Sequence, residues 1–290
     1  MKLAPKLLVL LLLIAIAPAT LVGYLGYSSS RRTILQETTD HLVSINLFKN
    51  HELQRWVEAN KASIEELAQR PTVIKLSDML ARHEVLDVKY QAARQAIIEE
   101  HFRLRLKYGG FFELFIMCPE HGYISASTDD RQEGKHRKEH AYYLESRKHT
   151  VVQGVYYSQT LEQPVMTIGT PIANPKGDLI GILGGRQDLG ELSRIITRAS
   201  EESRSGDTYL VNAFNFFVTE PRSGKGYALK KAVRIDGVRA GLSGRDGVDS
   251  YMGYRGVPVI GAYKWLPEFK MCLITEIDQA EALAPVHRMA

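Results

Sequence analysis

One stretch of this chain is written twice, and the doubling constrains its fold more than any other feature. Residues 163–189 read QPVMTIGTPIANPKGDLIGILGGRQDL, and residues 257–283 read VPVIGAYKWLPEFKMCLITEIDQAEAL. Each copy opens on a Pro-Val pair (Pro164–Val165, Pro258–Val259), runs apolar, and breaks at a turn (Asn174-Pro175-Lys176-Gly177; Pro267-Glu268). A second apolar run follows, then an acidic residue (Asp188, Asp278) at the entry to a helix. Strand, tight turn, strand and helix form one supersecondary unit. Its recurrence about ninety residues on predicts two similar small modules in tandem.

The length of 290 residues leaves room for two such modules. Apolar residues make up 44% and charged residues 24%, which places the chain among folded proteins. The net charge of +4 comes from interspersed Lys, Arg, Asp and Glu, with no basic block to engage nucleic acid. Cys118 and Cys272 each sit in strand-like apolar sequence and read as two buried thiols.

Leu7 to Tyr27 carries no charge and follows Lys2 and Lys6. At about 1.5 Å per residue the run spans roughly 30 Å, the thickness of a hydrocarbon core. Tyr24 and Tyr27 close it, where amphipathic rings favour headgroups. The expectation is an uncleaved transmembrane anchor. A signal peptide cleaved near Ala17-Pro18-Ala19 is the rival, disfavoured because the apolar run continues beyond it. Both readings put the remainder outside the cytoplasm. Arg31 and Arg32 balance the two N-terminal lysines, so flanking charge does not decide orientation.

From Arg31 to Arg70 there is neither Gly nor Pro, and Ile34, Leu42, Ile45, Leu53, Trp56, Ile64 and Leu67 make one apolar stripe. This predicts a single amphipathic helix stopped near Pro71. Residues 73–107 predict one or two more helices, and Gly109-Gly110 a break. Strands are expected at Phe111–Met117, Tyr123–Ser127 and Val152–Tyr157, with a polar loop over 128–141 and a short helix near Tyr142–Arg147. The first hairpin leads to a helix over Leu189–Ser200, and residues 201–206 read as a linker. The second cycle predicts strands at Asp207–Asn212, Phe216–Thr219 and Gly247–Tyr254, a mixed, partly helical stretch over 228–240, then the second hairpin and a final helix. Antiparallel strands with helices on one face describe an α+β fold.

In order and spacing, PVMTIGTPIANPKGDLIGILGG, GDTYLVNAFNFFVTEPR and VPVIGAYKWLPEFKMCLITEIDQAEAL resemble the double Cache sensor domains of bacterial transmembrane receptors. The resemblance implies a transmembrane helix, a long helical stalk and two PAS-like (Cache) antiparallel-sheet modules. The corresponding division is a cytoplasmic N-terminus over 1–6, an anchor over 7–27 and a stalk over 28–107. A membrane-distal module over 108–200 and a membrane-proximal one over 201–280 follow. Residues 281–290 then start a helix toward a second membrane segment that this sequence does not include. The chain would sit in the cell inner membrane with residues from about 28 onward periplasmic, pair as a homodimer through the long helix, and bind a small organic acid or amino-acid-like metabolite. Any kinase, cyclase or chemotaxis output would lie in a further segment.

In amino-acid-binding members of that family, the distal pocket lies between the short helix and the central strands. They carry a Tyr, an Arg five residues later, a Trp-Tyr pair, and acidic residues for the ligand ammonium. Tyr142 and Arg147 keep the first spacing. His149 and Thr150 replace the pair, and by ungapped alignment Ser158 and Arg186 replace the acids. The resemblance therefore implies an anionic, carboxylate-type ligand held by Arg147 and Arg186, with Tyr142, His149, Tyr156 and Ser158 completing the grip. The bland alternatives are a solvated strand-end Arg186, a helix-surface Arg147, and tyrosines that pack at the core edge. Tyr209, Asn212, Tyr251 and Tyr263 read as core and turn residues more than as a second pocket.

His121, His136, His140 and His149 lie near Glu133 and Glu139 within alternating charges, a pattern of a solvated loop, and no metal or cofactor is expected. No Gly-x-Ser-x-Gly occurs, Ser223-Gly224-Lys225-Gly226 lacks the phosphate-loop spacing, and no triad or zincin motif is present. These absences argue against catalysis. The reading is an extracytoplasmic ligand-sensing region of a signal-transduction receptor. The alternative is a periplasmic protein-interaction module with no small ligand.

Overall fold

The computed structural model describes residues 3–108, 110–187, 189–198 and 203–287, with the backbone alone for residues 3–15, 17, 19, 108, 286 and 287. Helix α1 (Leu3–Ala68) is continuous, with Pro18 inside it. Among the described residues no helix is long and apolar enough to cross a membrane. The side chains of much of the expected anchor lie outside that set, as do Gly109, Asp188 and residues 201–202 of the expected linker.

Three short helical pieces follow α1 instead of one or two. These are α2 (Pro71–Arg82), α3 (Val88–Ala96), which runs through a π turn at Ile97–Phe102, and α4 (Arg103–Tyr108). Pro71 starts α2, where its missing N–H costs nothing. The Asp87 carboxylate caps α3 by accepting from the Lys89 N–H at 2.7 Å. Then come β1 (Glu113–Met117), β2 (Ile124–Ser127), α5 (Ala141–Ser146), β3 (Val151–Ser158), β4 (Gln163–Ala173), β5 (Leu179–Gln187) and α6 (Leu189–Thr197). A second cycle holds β6 (Asp207–Asn212), α7 (Asp236–Leu242), β7 (Gly247–Met252), β8 (Pro258–Leu266), β9 (Met271–Asp278), α8 (Gln279–Ala282) and α9 (Ala284–His287).

The fold is α+β with two antiparallel sheets, ordered β2-β1-β5-β4-β3 and β6-β9-β8-β7. The duplicated sequence is the central hairpin of each, β4–β5 and β8–β9, flanked by β1 and β3 in one sheet and by β6 and β7 in the other. Asn174 shapes the first turn: its Oδ1 accepts from the Lys176 and Asp178 N–H groups at 2.9 Å each, and Gly177 takes the left-handed φ of 90°.

Helix α1 seats both sheets. Ile64 and Leu67 pack with α2, α3 and one face of the five-stranded sheet, whereas Leu42 packs with Ile260 and Ala262 of β8. Leu53 and Val57 join Leu192 and Ile196 of α6 to Leu210 and Leu273 of the second sheet. Polar contacts fix the phase: Lys49 Nζ, 2% exposed, donates to the Ile195 carbonyl at 2.6 Å, and Thr275 Oγ1 donates to Asn46 Oδ1 at 2.5 Å. Three further expectations fail in detail. Phe216–Thr219 makes only isolated bridges, the final helix is split, and Cys118 is half-exposed although both cysteines are free.

Candidate functional site

The face of the five-stranded sheet opposite α1 is covered by α5. Alternation along β5 sends Ile182, Gly184 and Arg186 to this face and Leu183 and Gly185 to the other. Register places Glu113 of β1 and Thr167 of β4 on either side of Arg186. Gly184 is required here, since a Cβ would lie 2.3 Å from the Phe115 ring. That ring in turn backs the Arg186 guanidinium, 4.6 Å from its centroid.

Arg186 is 1% exposed and forms a buried ion pair with Glu113, which also accepts from the Ser127 hydroxyl at 2.9 Å. Burial works against the guanidinium charge, but the Glu113 carboxylate together with the Tyr142 and Tyr156 phenols more than offsets it and raises the Arg186 pKa. Tyr142, fully buried on α5, holds its hydroxyl 3.5 Å from Arg186 Nη2. Burial pushes that phenol up to about 12, while Arg186 and Arg137 pull the other way. Tyr156 reaches across from β3 to Thr167, with their oxygens 2.8 Å apart.

A second cation, Arg137, enters from the polar loop. It is 7% exposed and donates from Nη2 to Gln132 Oε1 at 2.9 Å and to Thr160 Oγ1 at 3.2 Å. The Nε atoms of Arg137 and Arg186 are both buried without an acceptor. Burial first, and then these two cations, hold the His140 ring below its ordinary pKa. Two buried guanidinium groups thus face Tyr142 and His140, and among the described residues Glu113 is the one carboxylate bonded to either. A buried donor with no partner costs about 1–3 kcal/mol, and an oxyanion in reach of both would recover it.

The structure brings Tyr142, Tyr156 and Arg186 together and leaves the other candidates apart. Arg147 is exposed at the C-terminal cap of α5, and His149 is exposed beyond it. Ser158 is buried, but its hydroxyl is 3.4 Å from that of Thr160. Arg186 is therefore no solvated strand-end cation, whereas Arg147 is a helix-surface residue. Sequence reasoning missed Glu113 and Arg137. Glu113 had left a trace as the lone acid in the apolar run Phe111–Met117. The polar loop is less solvated than its charges imply, because Glu133 is clamped by Arg94 at 2.7 and 2.8 Å and by the Ser127 N–H at 2.9 Å. Among the described residues no three metal-ligating side chains converge.

No protein-family model matches the sequence, nor does any curated protein. Solved structures do match. The ligand-binding domain of the Pseudomonas aeruginosa PAO1 chemoreceptor PctB with L-Arg superposes at a TM-score of 0.62 and 18% identity, covering 86% of this chain and 98% of that one. The PctC domain with GABA, from the same organism, gives 0.59 and 19%, covering 83% and 100%. The sensor domain of the Vibrio cholerae histidine kinase DctB gives 0.61 and 10%, covering 83% and 96%. The fold is that of double Cache sensor domains. In this double Cache fold the sheet under α5 is the one that carries Arg186, with Arg137 reaching in from the polar loop, and the second sheet keeps the same strand order with one edge strand fewer.

Proposed function

We propose that this chain is the extracytoplasmic sensory region of a membrane receptor and binds a small carboxylate-bearing molecule beneath α5. The observation that carries the reading is the pair of buried, partly unpartnered guanidinium groups at Arg137 and Arg186, opposed by Glu113 alone. A ligand carboxylate accepts from both, and the Tyr142 and Tyr156 hydroxyls supply further donors. Glu113 adds a carboxylate for an ammonium, so amino-acid-like ligands fit alongside plain organic acids. PctB with L-Arg and PctC with GABA, similar in fold, are complexes of carboxylate-bearing molecules. The anchor over 7–27 holds the molecule at the membrane, residues 108–200 receive the ligand, and residues 201–280 pass the change to α1 and the membrane.

The test is a thermal-shift screen of the full chain in lipid nanodiscs against organic acids and amino acids. A ligand at a hundred times its Kd stabilises by about 2.7 kcal/mol, well above detection. For the carboxylate so found, Arg137→Gln and Tyr156→Phe are expected to weaken binding by about tenfold or more, with Arg147→Ala and His149→Ala staying within about threefold. A panel with no carboxylate response sinks the reading and leaves recognition of a partner protein in its place.

A further inference from the structure

The five-stranded sheet ends at β3, and the free edge of that strand borders a cavity of about 650 Å³ shared between the two modules. One wall is β3 itself, with Val151, Val155 and Tyr157. The other belongs to the second module: Phe214 from the turn after β6, Leu229, and Phe269 from the β8–β9 turn. The walls touch at Gly154, where a Cβ would lie 2.9 Å from the Phe269 carbonyl oxygen. Volume, apolar lining and position between modules all match small-molecule sites.

Two features speak for an occupant. Phe214 is 78% exposed, although an aromatic ring of that size gains from being covered. The wall it stands on is also strained. Of the four non-glycine residues with left-handed φ among those described, Leu229 (53°) and Lys270 (52°) line the cavity. Such strain costs about 1–3 kcal/mol per residue and gathers at ligand clamps. The charges set the ligand class: Glu145 and Glu268 border the cavity against the single cation Lys270.

We propose that this inter-module cavity is a second binding site, for a small organic cation with an apolar or aromatic body. Aromatic faces attract a desolvated cation, and the two carboxylates pair with it. The site does not depend on the carboxylate site under α5, although Tyr156 borders both. Because its walls come from both modules, an occupant fixes one against the other.

Calorimetry on the full chain in nanodiscs tests this, with empty nanodiscs subtracted. The probes are 2-phenylethylamine, 2-phenylethanol and 3-phenylpropionate, which share a ring and differ in charge. The amine is expected to bind saturably below about 10 mM, and the alcohol about fivefold or more weakly. Phe214→Ala and Glu268→Gln, both at exposed positions where folding is not at stake, are each expected to weaken the amine by about fivefold or more. Arg137→Gln leaves amine affinity within about twofold, which separates this site from the one under α5. Absence of saturable amine binding overturns the proposal. So does equal affinity for all three probes, or amine binding that survives Phe214→Ala.

Discussion

Glu276 sits on β9 beside its ladder partner Asp207, and both are 3% exposed. Asp207 is well served, accepting from the Arg222 N–H at 3.0 and 3.1 Å and from the Tyr254 hydroxyl at 2.5 Å. Glu276 is less well served, with only the buried phenols of Tyr209 and Tyr251 beside it and neither in good hydrogen-bond geometry. Burial pushes Glu276 up to about 7, and Asp207 adds to the rise while the phenols and Arg255 oppose it. The unfolded chain releases this proton near the ordinary carboxylate pKa of about 4.3, so between there and about 7 the folded state binds more protons. Stability is therefore full below the ordinary value, declines as pH rises through that window, and is level above it. Denaturant titrations from pH 4 to 8 are expected to show that decline, on the order of 3–4 kcal/mol, and Glu276→Gln should flatten most of it. Asp207, also raised by burial, retains a smaller slope of the same sign. Among individual side chains, Arg186 was legible because its place at the end of an apolar strand could be aligned. Arg137 was not, because a cation in a charged loop gives no sign of being folded inward.

Helix α5 lies so close to β4 that a Cβ on Gly169 would fall 2.2 Å from Ser146 Oγ and 3.0 Å from its Cβ. Gly169→Ala is expected to cost about 1–3 kcal/mol by overpacking. Ser146→Ala in that background should return part of it, as it removes the closer atom and a buried hydroxyl that has no partner. Chemical denaturation of the four variants in the cycle checks both statements. The hairpins were legible nearly to the residue because apolar runs, turn residues and β-branched side chains agree. Phe216–Thr219 misled for a local reason. Asn212 Oδ1 accepts from the Phe214 and Phe216 N–H groups at 3.0 and 2.9 Å, so a side chain takes donors that a strand ladder would use. The final helix splits at Leu283, and Pro285 sits in the first turn of α9, where proline starts a helix rather than continuing one.

The two sheets share one helix, and that governs how the molecule responds to change. One alanine inserted after His51 turns everything on one side of it by about 100° relative to the other. Either Leu42, Asn46 and Lys49 or Leu53, Val57 and Ile64 then lose their seats. Hydrogen exchange is expected to show one sheet opening well before the other in that variant, and the two opening together in the parent. The alternating stripe made the helix legible, but nothing in the sequence said that both modules read the same face of it. The separation of the modules is recorded in the number of α1 residues between Leu42 and Ile64, so that helix works as a ruler.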